Sequence, residues 1–187
     1  TSTELAINEL QNFLNNYPNS EKSKNINELI DELSYKLEFK AYENARQYYK
    51  MADYKAANVA FENVLNDFPS TKLAPKIYEY ILKSKYELAV NSVYDLKKDR
   101  IENALAFTKQ VERDMPNTEN AKTAIDLRNK LSKEKEAFLE LEKKVEERKK
   151  KLQEKQKEKE ARLNLEKDQR EAEKKAGQIK RDSASLS

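Results

Sequence analysis

Acidic residues number 34 and basic residues 37 among the 187 of this chain, while histidine and cysteine are both absent. That inventory removes the commonest general base, the thiolate nucleophile, every disulfide and the usual zinc ligands. Catalysis would have to rest on carboxylates, lysine or tyrosine. Glu28, Asp31 and Glu32 fall on one helical turn and could in principle hold a hard cation through oxygen, but no second element brings acids towards them. The residues therefore predict a non-catalytic protein with no cofactor and no metal. Its tyrosines (Tyr35, Tyr42, Tyr48, Tyr49, Tyr54, Tyr78, Tyr80 and Tyr86) read as rings packed between helices with hydroxyls at the rim. Tyr54 is the one best placed to face a partner.

The elements that must position these residues are helices. One glycine and four prolines leave too little turn chemistry for a multi-stranded sheet, and Ala, Glu, Lys and Leu dominate, so the chain reads as all-α. A single core using the whole length is excluded by a hydrophobic content of 37% against 38% charged residues. The charge is uneven: residues 1–131 carry 19 Lys and Arg against 20 Asp and Glu, and residues 132–187 carry 18 against 14. The positive excess belongs to the tail. No run of 18 apolar residues and no signal peptide is present, and the opening on Thr1 reads as a processed or trimmed piece.

Aligned on proline, three stretches match: AINELQNFLNNYPNS (6–20), ANVAFENVLNDFPST (57–71) and ALAFTKQVERDMPNT (104–118). Each places alanine twelve residues before the proline (Ala6, Ala57, Ala104), an apolar residue five before (Phe13, Val64, Val111) and a large apolar residue directly before (Tyr17, Phe68, Met115). Proline cannot continue a helix and biases its predecessor out of helical geometry, so each unit ends one helix. Ser20, Ser70 or Thr71, and Thr118 then stand ready to cap the next. The small residue lets a partner helix approach closely.

Alanine twelve before proline with Phe61 eight before matches the second half of a tetratricopeptide unit, and Ala45 and Tyr48 fall where its first helix wants a small residue and an aromatic. The first unit has only its second helix. The third has Thr108 in place of the phenylalanine and an extra loop, YDLKKDR (94–100). Helices are predicted at about 3–16, 21–50, 53–67, 71–96, 99–114 and 119–182. Along 21–50 the apolar face runs through Ile26, Leu29, Ile30, Leu33, Leu37, Ala41, Ala45 and Tyr48.

The succession NNYPNS, a long tyrosine-rich helix ending ENARQYYKMADYKAA, and VLNDFPST resembles the C-terminal half of the BamD family of outer-membrane β-barrel assembly lipoproteins. The resemblance covers about residues 4–128 and rests on Tyr48-Tyr49, Ala56-Ala57 and the proline units. It implies a scaffold at the periplasmic face of the outer membrane, with the lipidated cysteine and first repeats upstream of Thr1. It also implies docking on the periplasmic domains of the barrel subunit, BamA, within a complex whose substrates are unfolded outer-membrane proteins. Where family members carry an arginine on the docking helix, this chain has Ala60.

In the tail, Leu131, Phe138, Val145 and Leu152 recur every seven residues, with Leu127 and Leu141 between, giving a narrow coiled-coil-like seam that stops after Leu152. Beyond it, Glu147–Lys151, Glu158–Arg162, Glu166–Arg170 and Glu171–Lys175 are spaced for ion pairs of about 0.2 to 0.5 kcal/mol each. Glu scattered among the lysines weakens any cationic field and argues against both a nucleic-acid partner and lipid headgroups, leaving the upstream anchor as the expected membrane link.

The resulting expectation is a tetratricopeptide-like helical-hairpin solenoid over 1–130, a long charged helix over 131–182 and a disordered end at 183–187. It docks a partner protein through the helix at 53–67, where helical phase puts Tyr54, Lys55, Asn58, Glu62 and Asn66 on the outside. The alternative is a cytosolic tetratricopeptide adaptor or co-chaperone with a coiled-coil tail.

Overall fold

The structure, a computed structural model, describes the backbone of residues 1–184 and the side chains of residues 1–177. Among the described residues it contains six helices and no strand: α1 (Ser2–Asn16), α2 (Ser23–Lys50), α3 (Tyr54–Asp67), α4 (Ala74–Val90), α5 (Tyr94–Asp114) and α6 (Glu119–Ala184). The chain divides into two compact units, Thr1–Glu136 and Ala137–Ser187. Of the loose end expected at 183–187, Ser183 and Ala184 close α6 and the remainder lies outside the described residues.

In the first unit each helix from α1 to α5 packs on the next, and α2 also touches α4, so that hairpins stack on hairpins. This is an all-α helical-hairpin solenoid. The three proline units share one backbone solution. Tyr17, Phe68 and Met115 have φ of −133°, −130° and −131° with ψ of 61°, 69° and 53°, and each donates its N–H to the carbonyl four residues back at 2.9 Å. Thr118 Oγ1 then accepts from the N–H of Ala121 at 3.2 Å, while Ser20 and Thr71 accept from Lys22 and Leu73 at 3.3 and 3.1 Å in the turns that precede α2 and α4. Ser70 takes no part in these caps.

Burial grades along the repeat. Ala57 and Ala104 are buried with Val64 and Val111, whereas Ala6 and Phe13 are half-buried and Tyr17 is 60% exposed. The difference follows from neighbours: α3 lies between α2 and α4, while α1 packs on α2 alone among the described helices that contact it. Thr108, standing where the middle unit has Phe61, is buried as Phe61 is, its hydroxyl donating to the Leu105 carbonyl at 2.7 Å.

Two boundaries differ from expectation. The helix predicted to run to 96 stops at Val90, and the loop predicted at 94–100 is the first two turns of α5. The sequence Asn91-Ser92-Val93 breaks the helix without proline or glycine because side chains satisfy its free carbonyls: Ser92 Oγ donates to Leu88 O and Lys97 Nζ to Val90 O at 3.1 Å. On α2, Tyr49 rather than Tyr48 turns inward; Tyr48 is largely exposed, and the inner face runs through Tyr42, Ala45 and Tyr49.

The end of α2 carries one strained residue. Ala52 sits at φ 58°, and Asp53 donates its N–H back to Tyr48 O at 3.0 Å, closing the helix in a left-handed cap that glycine adopts without penalty. Ala52→Gly is expected to raise stability by about 0.5 to 1 kcal/mol. Chemical denaturation with an unchanged slope and a higher midpoint would show it.

Within the first unit, α6 packs through Leu127 and Leu131, both buried, and is pinned by Asn120 Nδ2 donating to Pro75 O at 2.9 Å and by Arg128 on Glu112. In the second unit the seam positions Leu141 and Leu152 are exposed. None of the four expected tail ion pairs forms; Arg162 turns instead to Glu166 at 3.1 Å.

Candidate docking surface

An aromatic lattice holds α2, α3 and α4 together and so fixes the faces they leave outside. Phe61 and Tyr80 stack nearly parallel, centroids 5.1 Å apart and planes 8° apart; Tyr42 meets both at about 6 Å, and Tyr49 meets Tyr80 at 4.9 Å. Burial pushes the Tyr42 and Tyr49 hydroxyls above the ordinary phenol value, as expected for rings used as packing. Tyr54 belongs to the same lattice: half-buried, it meets the Tyr49 ring edge-on at 5.5 Å.

A groove of about 630 Å³ runs across α3, α4 and α5. Its floor is aromatic, Tyr78 stacking on Phe107 at 6.3 Å with planes 16° apart. Its rim is polar: Glu62 and Asn66 from α3, Asn103 and Gln110 from α5. Lys85 bridges the two levels, its ammonium 3.1 Å from Glu62 Oε1 and 5.2 Å from the Phe107 centroid. Such a groove suits an extended or loop segment of polypeptide, apolar side chains going down and backbone amides meeting the rim amides.

The five residues expected on the outer face of α3 do not form one patch. Glu62 and Asn66 line the groove. Lys55 lines a separate depression of about 460 Å³ beside Tyr48, Val59 and Asn63. Asn58 corrects the expectation: it is only 7% exposed, and its Oδ1 has no hydrogen-bond partner. Both α2 and α4 cover α3, so its buried arc is wide and takes in Asn58. The outer face is centred near Val59, which is 55% exposed. Val59, Lys85 and Phe107 were missed. Val59 could have been found as the apolar residue opposite Phe61; Lys85 and Phe107 lie on other helices and only the fold brings them in.

Among the described residues no group of three potential metal ligands occurs, and no helix is long and apolar enough to cross a membrane. Glu32, considered above for a cation, is ion-paired with Lys36 at 2.7 Å. Hydrogen bonds donated by Lys36, Arg128 and Lys143 hold Glu32, Glu112 and Glu140 below the ordinary carboxylate value of 4.5, and those that Lys83 and Lys130 donate to Glu79 and Asp126 hold the two lysines above the ordinary lysine value of 10.5. Lowered carboxyls contribute stability that is present above pH 4.5 and lost as pH falls through their folded values; raised lysines contribute stability present below 10.5 and lost as pH rises past it. With no histidine to titrate between, the thermal midpoint is expected to stay flat from about pH 6 to 9 and to fall on either side. Circular dichroism melts across that range measure it.

The fold and groove define a class: a stacked array of helical hairpins offering a polypeptide-sized surface and no assembled catalytic group among the described residues. Residues 1–95, just over half of the chain, match the model of the YfiO family, described as outer membrane lipoprotein, and the chain belongs to that family. No curated protein matches it.

Proposed function

We propose that this chain is a non-catalytic docking subunit of the outer-membrane β-barrel assembly complex and holds the periplasmic domains of the barrel subunit. The groove across α3, α4 and α5 carries this reading. It is polypeptide-sized, floored by Tyr78 and Phe107, and rimmed by Glu62, Asn66 and Lys85. Membership of an outer membrane lipoprotein family supports the compartment, a lipid-anchored position at the periplasmic face, and weighs against a cytosolic adaptor. Lys55 lines a separate depression on α3, Tyr54 packs on Tyr49, and Asn58 is buried.

Reversing charge at the rim tests the placement. Glu62→Lys puts a second ammonium beside Lys85, and Lys55→Glu with Asn66→Lys alters the flanks. These side chains are exposed, and an exposed ion pair is worth about 0 to 1 kcal/mol, so folding survives. Copurification of the triple variant with the barrel subunit is expected to fall at least about tenfold. Undiminished copurification would defeat the placement.

A further inference from the structure

The second unit, Ala137–Ser187, lies wholly beyond the family match, and its helix has a face that averages hide. Leu141, Leu152 and Leu163 recur every eleven residues. Eleven residues at 3.6 per turn make close to three turns, so the three leucines lie within about 40° of one line along α6, and Val145 joins them. The leucines are 47%, 53% and 46% exposed.

The charges are sorted about that line. Arg148, Lys149, Lys155 and Lys159 lie within about 60° of it, with Gln156, and no acid does. Glu142 and Glu160 begin at about 80°, and Glu146, Glu147, Glu154 and Glu158 occupy the far side. Lys143 pairs with Glu140 and Arg162 with Glu166, and neither pair uses any of the four cations, all of which are exposed. Glutamates that dilute the positive charge in sequence leave it undiluted on this face.

We propose that the 141–163 face of α6 lies flat on a membrane surface whose phosphate headgroups carry net negative charge. Charge complementarity selects the occupant. A second copy is disfavoured, because antiparallel pairing about Leu152 sets Lys149 against Lys155 and leaves Arg148 within a turn of both Lys155 and Lys159, and parallel pairing sets each cation near its own copy. A protein helix would need an apolar residue every three or four positions to seat knobs in holes, whereas after Leu152 the next on this face, Leu163, stands three turns away. Widely spaced leucines dipping into a headgroup layer, flanked by lysine stems that run along it and reach phosphates, need no such continuity. The face is about 33 Å long.

Cosedimentation of the whole chain with vesicles tests this. With phosphatidylglycerol mixed into phosphatidylcholine, the chain is expected to sediment at low ionic strength; with phosphatidylcholine alone it is expected to stay in solution. Lys149→Gln/Lys155→Gln/Lys159→Gln should weaken binding about a hundredfold, at about fivefold per cation. Lys143→Gln/Lys150→Gln/Lys157→Gln removes the same charge from the other side and should change binding less than about threefold. Matching helical circular dichroism of both variants confirms that the comparison is one of faces. Absence of binding to the anionic vesicles, equal loss in both variants, or capture by polyglutamate without vesicle binding would each overturn the proposal.

Discussion

Phe61→Ala is expected to lower stability by about 3 to 5 kcal/mol, the largest loss from any single truncation in the first unit. Phe61 is fully buried and holds three helices at once: it sits on α3, stacks on Tyr80 of α4 and tilts against Tyr42 of α2. Removing the ring opens a cavity among side chains that cannot collapse into it, because Tyr80 is also held by Tyr49. Equilibrium denaturation should show the loss as a lower midpoint. A loss below about 1 kcal/mol would mean that the stacking of α2, α3 and α4 does not depend on this lattice.

The second large effect is one of excess volume and is graded along the repeat. Ala57→Leu and Ala104→Leu are each expected to cost about 1 to 3 kcal/mol, since both alanines are buried where helices approach closely. Ala6→Leu, at the equivalent place in the first copy, is expected to cost less than about 0.5 kcal/mol, because Ala6 is only half-buried. Three identical substitutions at three aligned alanines thus give two large numbers and one small one. Equal costs at all three would contradict the packing gradient.

What was legible in the sequence was whatever proline and helical phase dictate locally. Tyr17, Phe68 and Met115 share their dihedrals because the residue before proline has few alternatives, and the three-copy alignment found them. The break between α4 and α5 was not legible. Ser92 and Lys97 end α4 through bonds to its carbonyls, and nothing in Asn-Ser-Val announces a stop. The outer face of α3 was half legible: Lys55, Glu62 and Asn66 follow from phase alone, but the burial of Asn58 depends on a second covering helix. The groove itself was not legible, because Glu62, Lys85 and Phe107 come from three helices and meet only through the fold.

Amide exchange along the chain, with and without the barrel subunit's periplasmic domains, tests docking through the groove most directly. Slowed exchange concentrated in α3 and in the α5 turns bearing Asn103, Phe107 and Gln110 is the expected result. Unchanged exchange there, or protection confined to α1 and the first half of α2, would place the partner on a different face and remove the groove from the function.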